Sequence, residues 1–316
     1  MNMKVSHIFW GTLFIIMGLL FLLSNFTTIN LDWGNIWEYW PLVLILIGAS
    51  LLTKHKFGKG LFAFLAALFL AIVIFASFNS AMSFVNNDFE IVFNDEDTSN
   101  IVVKEFSAPF DSLVVKNIFH LSGGAGVFKI TSATDSAIFI RTRGLRNTYR
   151  FSDTRFDDSI GKFNLDLKQK GIVFGIGKRN KSNLIDVSLN KHPVWDLDFD
   201  LGAAALKLDL TQFKIEKLTT DMGAAKLELK LGSLSDVTDI KIDAGASKIE
   251  IAVPEEAGCQ LRMDDVLSSN NLEGFTRVKK KLYRTTNFDE TDKKIYIDID
   301  SGVSSIHIWR YKTEEE

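Results

Sequence analysis

Residues 195–209 read WDLDFDLGAAALKLD, and three further segments fall on the same template when aligned on their glycine: EKLTTDMGAAKLELK over 216–230, TDIKIDAGASKIEIA over 238–252 and IYIDIDSGVSSIHIW over 295–309. The shared glycines are Gly202, Gly223, Gly245 and Gly302, and a looser copy lies at Gly124-Ala125, followed by Phe128 and Ile130. Four and six residues after each full-copy glycine the chain is apolar, as at Leu206 and Leu208 or Ile249 and Ile251. Before it, Trp195, Leu197, Phe199 and Leu201 alternate with Asp196, Asp198 and Asp200, the period-two pattern of a strand with one buried face. Each unit therefore reads as strand, glycine corner, strand. Glycine reaches positive φ without steric cost, so this reading predicts left-handed turns at Gly124, Gly202, Gly223, Gly245 and Gly302, with the following alanine letting neighbouring corners approach.

The step from Gly202 to Gly223 is 21 residues and that from Gly223 to Gly245 is 22. Units of this length with one apolar face cannot bury it alone, and stacking them does. The regular period favours a parallel β-solenoid over residues 101–316, with 131–190 and 254–295 as insertions or capping coils. A β-sandwich of short hairpins is the alternative. Aspartate stands two residues before each full-copy glycine, at Asp200, Asp221, Asp243 and Asp300. In-register stacking would place these carboxylates in a column about 4.8 Å apart, a repulsive arrangement unless compensated. Calcium is one possible occupant. The simpler reading makes each an Asx-turn former, accepting a hydrogen bond from the backbone two residues on, with Lys226 and Lys248 as offsetting charges.

Residues 1–80 have a different composition. They carry Lys4, Lys54, Lys56, Lys59, Asp32 and Glu38 as their only charges out of 36 basic and 39 acidic residues in the chain, which leaves 32 basic and 37 acidic for the remainder. Apolar stretches at about 8–26, 36–52 and 61–78 are read as three membrane spans, and the Asn-, Asp- and Ser-rich residues 81–100 as a linker. Trp37, Tyr39 and Trp40 cluster at the start of the second stretch, as amphipathic rings do at the headgroup level. The basic link at Lys54 to Lys59 belongs on the cytoplasmic side, which places the β domain outside the cytoplasm.

No catalytic constellation emerges. Gly171 to Lys178 approximates a phosphate loop, but the spacing has one residue too many and Arg179 stands where a serine or threonine would hold magnesium. His7, His55, His120, His192 and His307 lack ligand spacing, and the single cysteine, Cys259, builds neither a disulfide nor a thiolate cluster. Interleaved charge of both signs gives no reason to expect nucleic acid as a partner. The basic run Arg277, Lys279, Lys280, Lys281 and Arg284 is the one local excess; such runs are most often solvated, with anionic lipid or polymer as the functional reading. Neither enzyme activity nor a cofactor or metal is expected.

The pattern Phe9-Trp10-Gly11, the run Gly18 to Leu23, and the second apolar stretch opening Trp40-Pro41-Leu42 resemble the transmembrane hairpin of the LiaI/LiaF-like bacterial membrane proteins. The tract from Ala108-Pro109-Phe110 through Gly123 to Gly126, and above all from Asp196 to Pro254, resembles the toast-rack β domain of the LiaF family, marked by repeated Gly-Ala corners followed by short strands. The resemblance implies a multi-pass protein of the bacterial cell membrane that contacts lipid and another membrane protein such as a sensor kinase. It also implies a role in envelope stress and the response to cell-wall-active antibiotics.

Overall fold

In the computed structural model, residues 5–24, 41–53, 55–86, 102–144, 149–156, 159–167 and 183–313 are described. The chain divides into an N-terminal helical unit and a β unit. Helix α1 spans Val5–Ser24, α2 Pro41–Leu52 and α3 Lys56–Asn86. Pro41 sits at the first helical position, where its missing N–H costs nothing. Among the described residues one helix is long and apolar enough to cross a membrane, over Gly58–Phe75; Ser6–Leu20 and Pro41–Leu52 are shorter apolar helices. The stretch expected as the third span, 61–78, lies within α3, whose helix runs on through 81–86, residues that the sequence reading assigns to a linker. The aromatic cluster at 37–40, the charges Lys4, Asp32, Glu38 and Lys54, and the rest of that linker lie outside the described residues. Leu13 of α1 packs with Ala67 and Ala71 of α3, and Ile8 reaches Gly60, so contacts advance in the same direction along both helices.

The β unit holds β1 (Val102–Ala108), β2 (Lys116–Ala133), β3 (Ile138–Gly144), β4 (Tyr149–Phe156), β5 (Ile160–Leu167), β6 (Asn183–Leu189), β7 (Val194–Asp209), β8 (Lys214–Lys230), β9 (Val237–Pro254), β10 (Gly258–Leu272), β11 (Phe275–Lys279), β12 (Leu282–Thr285) and β13 (Lys294–Tyr311). The long strands run parallel in the order β2-β7-β8-β9-β13-β10. Pairing is antiparallel between β1 and β3, β3 and β6, β4 and β5, and among β10, β12 and β11. The sheet is therefore mixed, neither wholly parallel as the stacking argument expects nor a series of hairpins.

The short links between parallel strands fix the shape of each row. Strands β7 and β8 pair from Val194↔Lys214 to Asp209↔Lys230, yet only residues 210–213 join them. Sixteen straight residues would extend roughly 53 Å, whereas four residues span at most about 14 Å. The end of β7 must therefore return close to its beginning, and the strand folds back on itself. The fold falls at the glycine: before it Leu197, Phe199 and Leu201 are buried, after it Ala204, Leu206 and Leu208 are buried, and Gly202 and Ala203 between them both face outward. Two consecutive outward residues shift the alternation by one, so both arms present apolar side chains to the same core.

This corner does not require positive φ. Among the described residues the glycine with positive φ is Gly274, at +81°, and Gly124, Gly202, Gly223, Gly245 and Gly302 are not left-handed. The predicted turn conformation is corrected; what demands glycine is space. A Cβ on Gly223 would lie 2.8 Å from the carbonyl oxygen of Gly202, one on Gly245 2.6 Å from that of Gly223, and one on Gly302 2.7 Å from that of Gly245.

The core runs in columns through the rows. Phe119, Leu197, Leu218, Ile240, Ile297 and Leu261 form one, and Leu121, Phe199, Thr220, Ile242, Ile299 and Met263 the next. One end is closed by rings in succession: Phe106 on Phe151 at 5.6 Å, Phe151 on Phe163 at 6.3 Å and Phe163 on Trp195 at 6.1 Å. Trp195 Nε1 donates to the Asn190 carbonyl at 2.8 Å, satisfying the one polar atom this ring brings into the core.

Gly245→Ala should destabilise the β unit by about 1–3 kcal/mol through overpacking against the Gly223 carbonyl. Gly202→Ala, whose Cβ would stand 3.4 Å from the Gly124 oxygen, should fall within about 1 kcal/mol of wild type. Equal losses in denaturant titrations would contradict the spatial explanation. Thr220 is fully buried and among the described residues its hydroxyl has no partner, so Thr220→Val should stabilise by about 1 kcal/mol, read from the same titrations.

Candidate functional site

The outward faces of the rows carry the polar chemistry. The columns align Ser122, Asp200, Asp221, Asp243, Asp300 and Asp264 across six adjacent strands, so the carboxylate column anticipated at Asp200, Asp221, Asp243 and Asp300 gains a fifth member. Asp264 escapes sequence alignment because its row carries Val266 where the others have glycine. Asp200, Asp221, Asp243 and Asp300 are exposed, and among the described residues their carboxylates accept no hydrogen bond and form no ion pair. They are not Asx-turn formers. Backbone capping of that kind occurs instead at the short links, where the chain reverses: Leu113 N–H donates to Asp111 Oδ1, His192 N–H to Asn190 Oδ1 and Thr211 N–H to Asp209 Oδ1.

Lys226 and Lys248 do not offset the aspartates either. Lys226 is buried, with Nζ 3.0 Å from Glu228, and Lys248 lies 3.0 Å from Glu250, both on the arm beyond the corner. Elsewhere the outer faces neutralise themselves across strands. Lys116 Nζ lies 2.9 Å from both Asp196 and Glu216, His120 Nδ1 3.0 Å from Asp198, Lys293 2.7 Å from Asp236, and Arg262 Nε donates to Asp298 at 3.0 Å. Partial burial pulls the Lys116 pKa down, but its two carboxylate partners outweigh that and leave it above the ordinary value. The hydrogen bond from Lys293 holds Asp236 below its usual range.

Among the described residues, Cys259 and the histidines stand apart from one another. Cys259 is fully buried, and burial pushes its thiol pKa far up, away from a reactive thiolate. His120 and His307 each meet a carboxylate, Asp198 and Glu273, but among the described residues neither bonds a serine or cysteine. No group of three or more metal-ligating side chains occurs among them. A cleft bounded by Phe110, Asn117, Arg155 and Phe163 has a volume of about 40 Å³, far below the roughly 300 Å³ at which small-molecule pockets begin. The phosphate-loop-like segment 171–178 and Arg179 lie outside the described residues.

A set of apolar helices followed by a β unit of stacked, glycine-cornered rows defines a class of membrane protein with a β domain built by repetition. Residues 94–252 match the family model for the N-terminal domain of toast_rack, DUF2154, and residues 8–52 match the LiaI-LiaF-like transmembrane region, so the chain belongs to the LiaF-like toast-rack membrane proteins. Among solved structures, one described as a cell adhesion protein from Clostridium sporogenes aligns at 18% identity with a TM-score of 0.61, over 67% of this chain and all of that one. An adhesin structure from Bacteroides fragilis aligns at 10% identity with a TM-score of 0.26, over 66% of this chain and 97% of that one. No protein of curated function matches the chain. The first likeness supports the fold of the β unit.

Asp221 stands between Asp200 and Asp243, and among the described residues no cationic side chain pairs with it. Directly opposed like charges destabilise a sheet by roughly 0.2–1 kcal/mol, so Asp221→Asn should raise the melting temperature of the β unit, and the gain should shrink in high salt. A loss of stability would mean that the column serves a contact the repulsion argument omits.

Proposed function

We propose that this protein acts in the bacterial cell envelope by protein contact. Its helices engage a second integral membrane protein, such as a sensor kinase, and its β unit forms a rigid sensing or scaffolding arm outside the cytoplasm, modulating the response to envelope stress and cell-wall-active antibiotics. The observation that carries this reading is the outer surface. Across β7, β8 and β9 its columns consist of charged and small side chains, and among the described residues of these three strands no row of aromatics stands ready for sugar stacking. Polar, charge-paired faces suit contact with another protein surface.

The helical unit is consistent with it. Gly11 and Gly18 lie seven residues apart on α1 with open space where a side chain would be, a spacing that admits close approach of a partner helix. Contacts between α1 and α3 advance in the same direction, as three successive crossings require of the first and third spans. The two-armed rows are read, on the same footing, as coils of a short parallel solenoid whose stiffness transmits a contact at one face along the stack. A passive scaffold or a polysaccharide- or lipid-binding module is the second reading, favoured by the fold likeness to the cell adhesion protein.

Sidedness and contact are both measurable. In a Cys259→Ser background, a cysteine placed at Thr313 should react with a membrane-impermeant maleimide on intact cells stripped of any outer barrier. Reaction only after lysis would put the β unit in the cytoplasm and remove direct sensing of the wall. A photoreactive residue at the exposed Phe14 should trap one integral membrane protein reproducibly, whereas lipid adducts alone would favour the passive reading.

A further inference from the structure

The β11–β12 hairpin breaks the rule of cross-strand neutralisation. It carries Arg277, Lys279 and Lys280, and among the described residues none of these has an acidic or hydrogen-bonding partner, while Lys281 pairs with Asp264 and Arg284 bonds Gln260. Residues 276–281 are exposed throughout, so both faces of β11 stand clear of the core beyond Phe275. Between the cations lies Val278, 55% exposed, at a bulge where β11 shifts register against β12 between Arg277 and Lys279, and Lys280 follows in the turn of the hairpin. β11 ends the strand order, so nothing in the sheet covers it.

We propose that this hairpin docks the β unit onto the anionic phospholipid surface of the membrane that holds the helices. The inference rests on the membrane anchoring described above. Unpaired cations flanking an exposed apolar side chain match a layer of anionic headgroups over hydrocarbon, where ammonium and guanidinium groups neutralise phosphate and the aliphatic group enters the boundary. The tether makes the encounter local: fifteen residues separate Asn86 from Val102, a length that reaches at most about 54 Å.

The test uses the full chain, with Cys259→Ser, reconstituted in vesicles of zwitterionic lipid alone or with 30% phosphatidylglycerol (about a third, to set the surface potential), and with spin-labelled lipid as quencher. A fluorophore on a cysteine at Thr276 should be quenched in the anionic vesicles and not in the neutral ones, and high salt should abolish the quenching. Neutralising Arg277, Lys279 and Lys280 to glutamine should weaken docking about five-fold per residue, on the order of a hundred-fold together. A fluorophore at Ile74 of α3 serves as reference. Quenching there without charge-dependent quenching at Thr276 overturns this proposal and leaves the anchor standing, whereas loss at both positions removes the anchor itself. If the cations only guard an open sheet edge, the triple variant will aggregate and the wild-type label will ignore lipid charge, which also overturns it. Shielding of Thr276 by soluble polyglutamate but not by anionic vesicles would assign the surface to an acidic polymer instead.

Discussion

The β unit depends on how closely one row approaches the next at its corner. Where each long strand folds back, the carbonyl oxygen of one glycine sits 2.6–2.8 Å from the place a side chain would occupy on the glycine of the following row, through Gly223, Gly245 and Gly302. Glycine there supplies clearance, not an unusual dihedral, because none of these corners has positive φ. Everything else follows from that approach. Arms on both sides of the corner stay in parallel register, two outward residues shift the alternation, and both arms fill a common core. The links between rows can then be as short as residues 210–213, closed by side-chain caps at Asp209 and Asn190.

In-register stacking also decides the electrostatics of the surface. When a unit repeats along a stack, each outward position becomes a column, and a residue kept at that position meets copies of itself. Other positions pair opposite charges, within a column as Asp298 does with Arg262, or diagonally across strands as Lys116 does with Asp196. The column before the corner remains acidic in five neighbouring rows, with Lys281 of the hairpin reaching Asp264 at its end. Repulsion of this size is tolerable on an exposed face, where water screens it, and the buried columns on both arms outweigh it.

Much of this was legible in the residues. Alternation around a recurrent glycine marks two strands and a corner, the apolar stretches mark the helices, and the fixed distance from glycine to aspartate places Asp200, Asp221, Asp243 and Asp300 in line. The row through Asp264 was not legible, because Val266 replaces its glycine, nor was the row made jointly by β5 and β6 against the two arms of β2. A repeat is recognised by its rarest residue, whereas a row is admitted to a stack by backbone pairing, which any extended segment of suitable alternation can supply.

By itself, then, the sequence determined the period, the buried face of the repeated strands and the apolar helices, because these depend on local spacing and composition. Only the tertiary structure decided why glycine stands at the corners, which lysines meet which carboxylates, and where the sheet turns antiparallel at its ends. Those outcomes depend on atoms brought together from distant rows: the Gly223 oxygen against Gly245, Glu216 against Lys116, and Lys281 against the last aspartate of the column. A pattern read along one chain contains the residues of such contacts but not the distance between them.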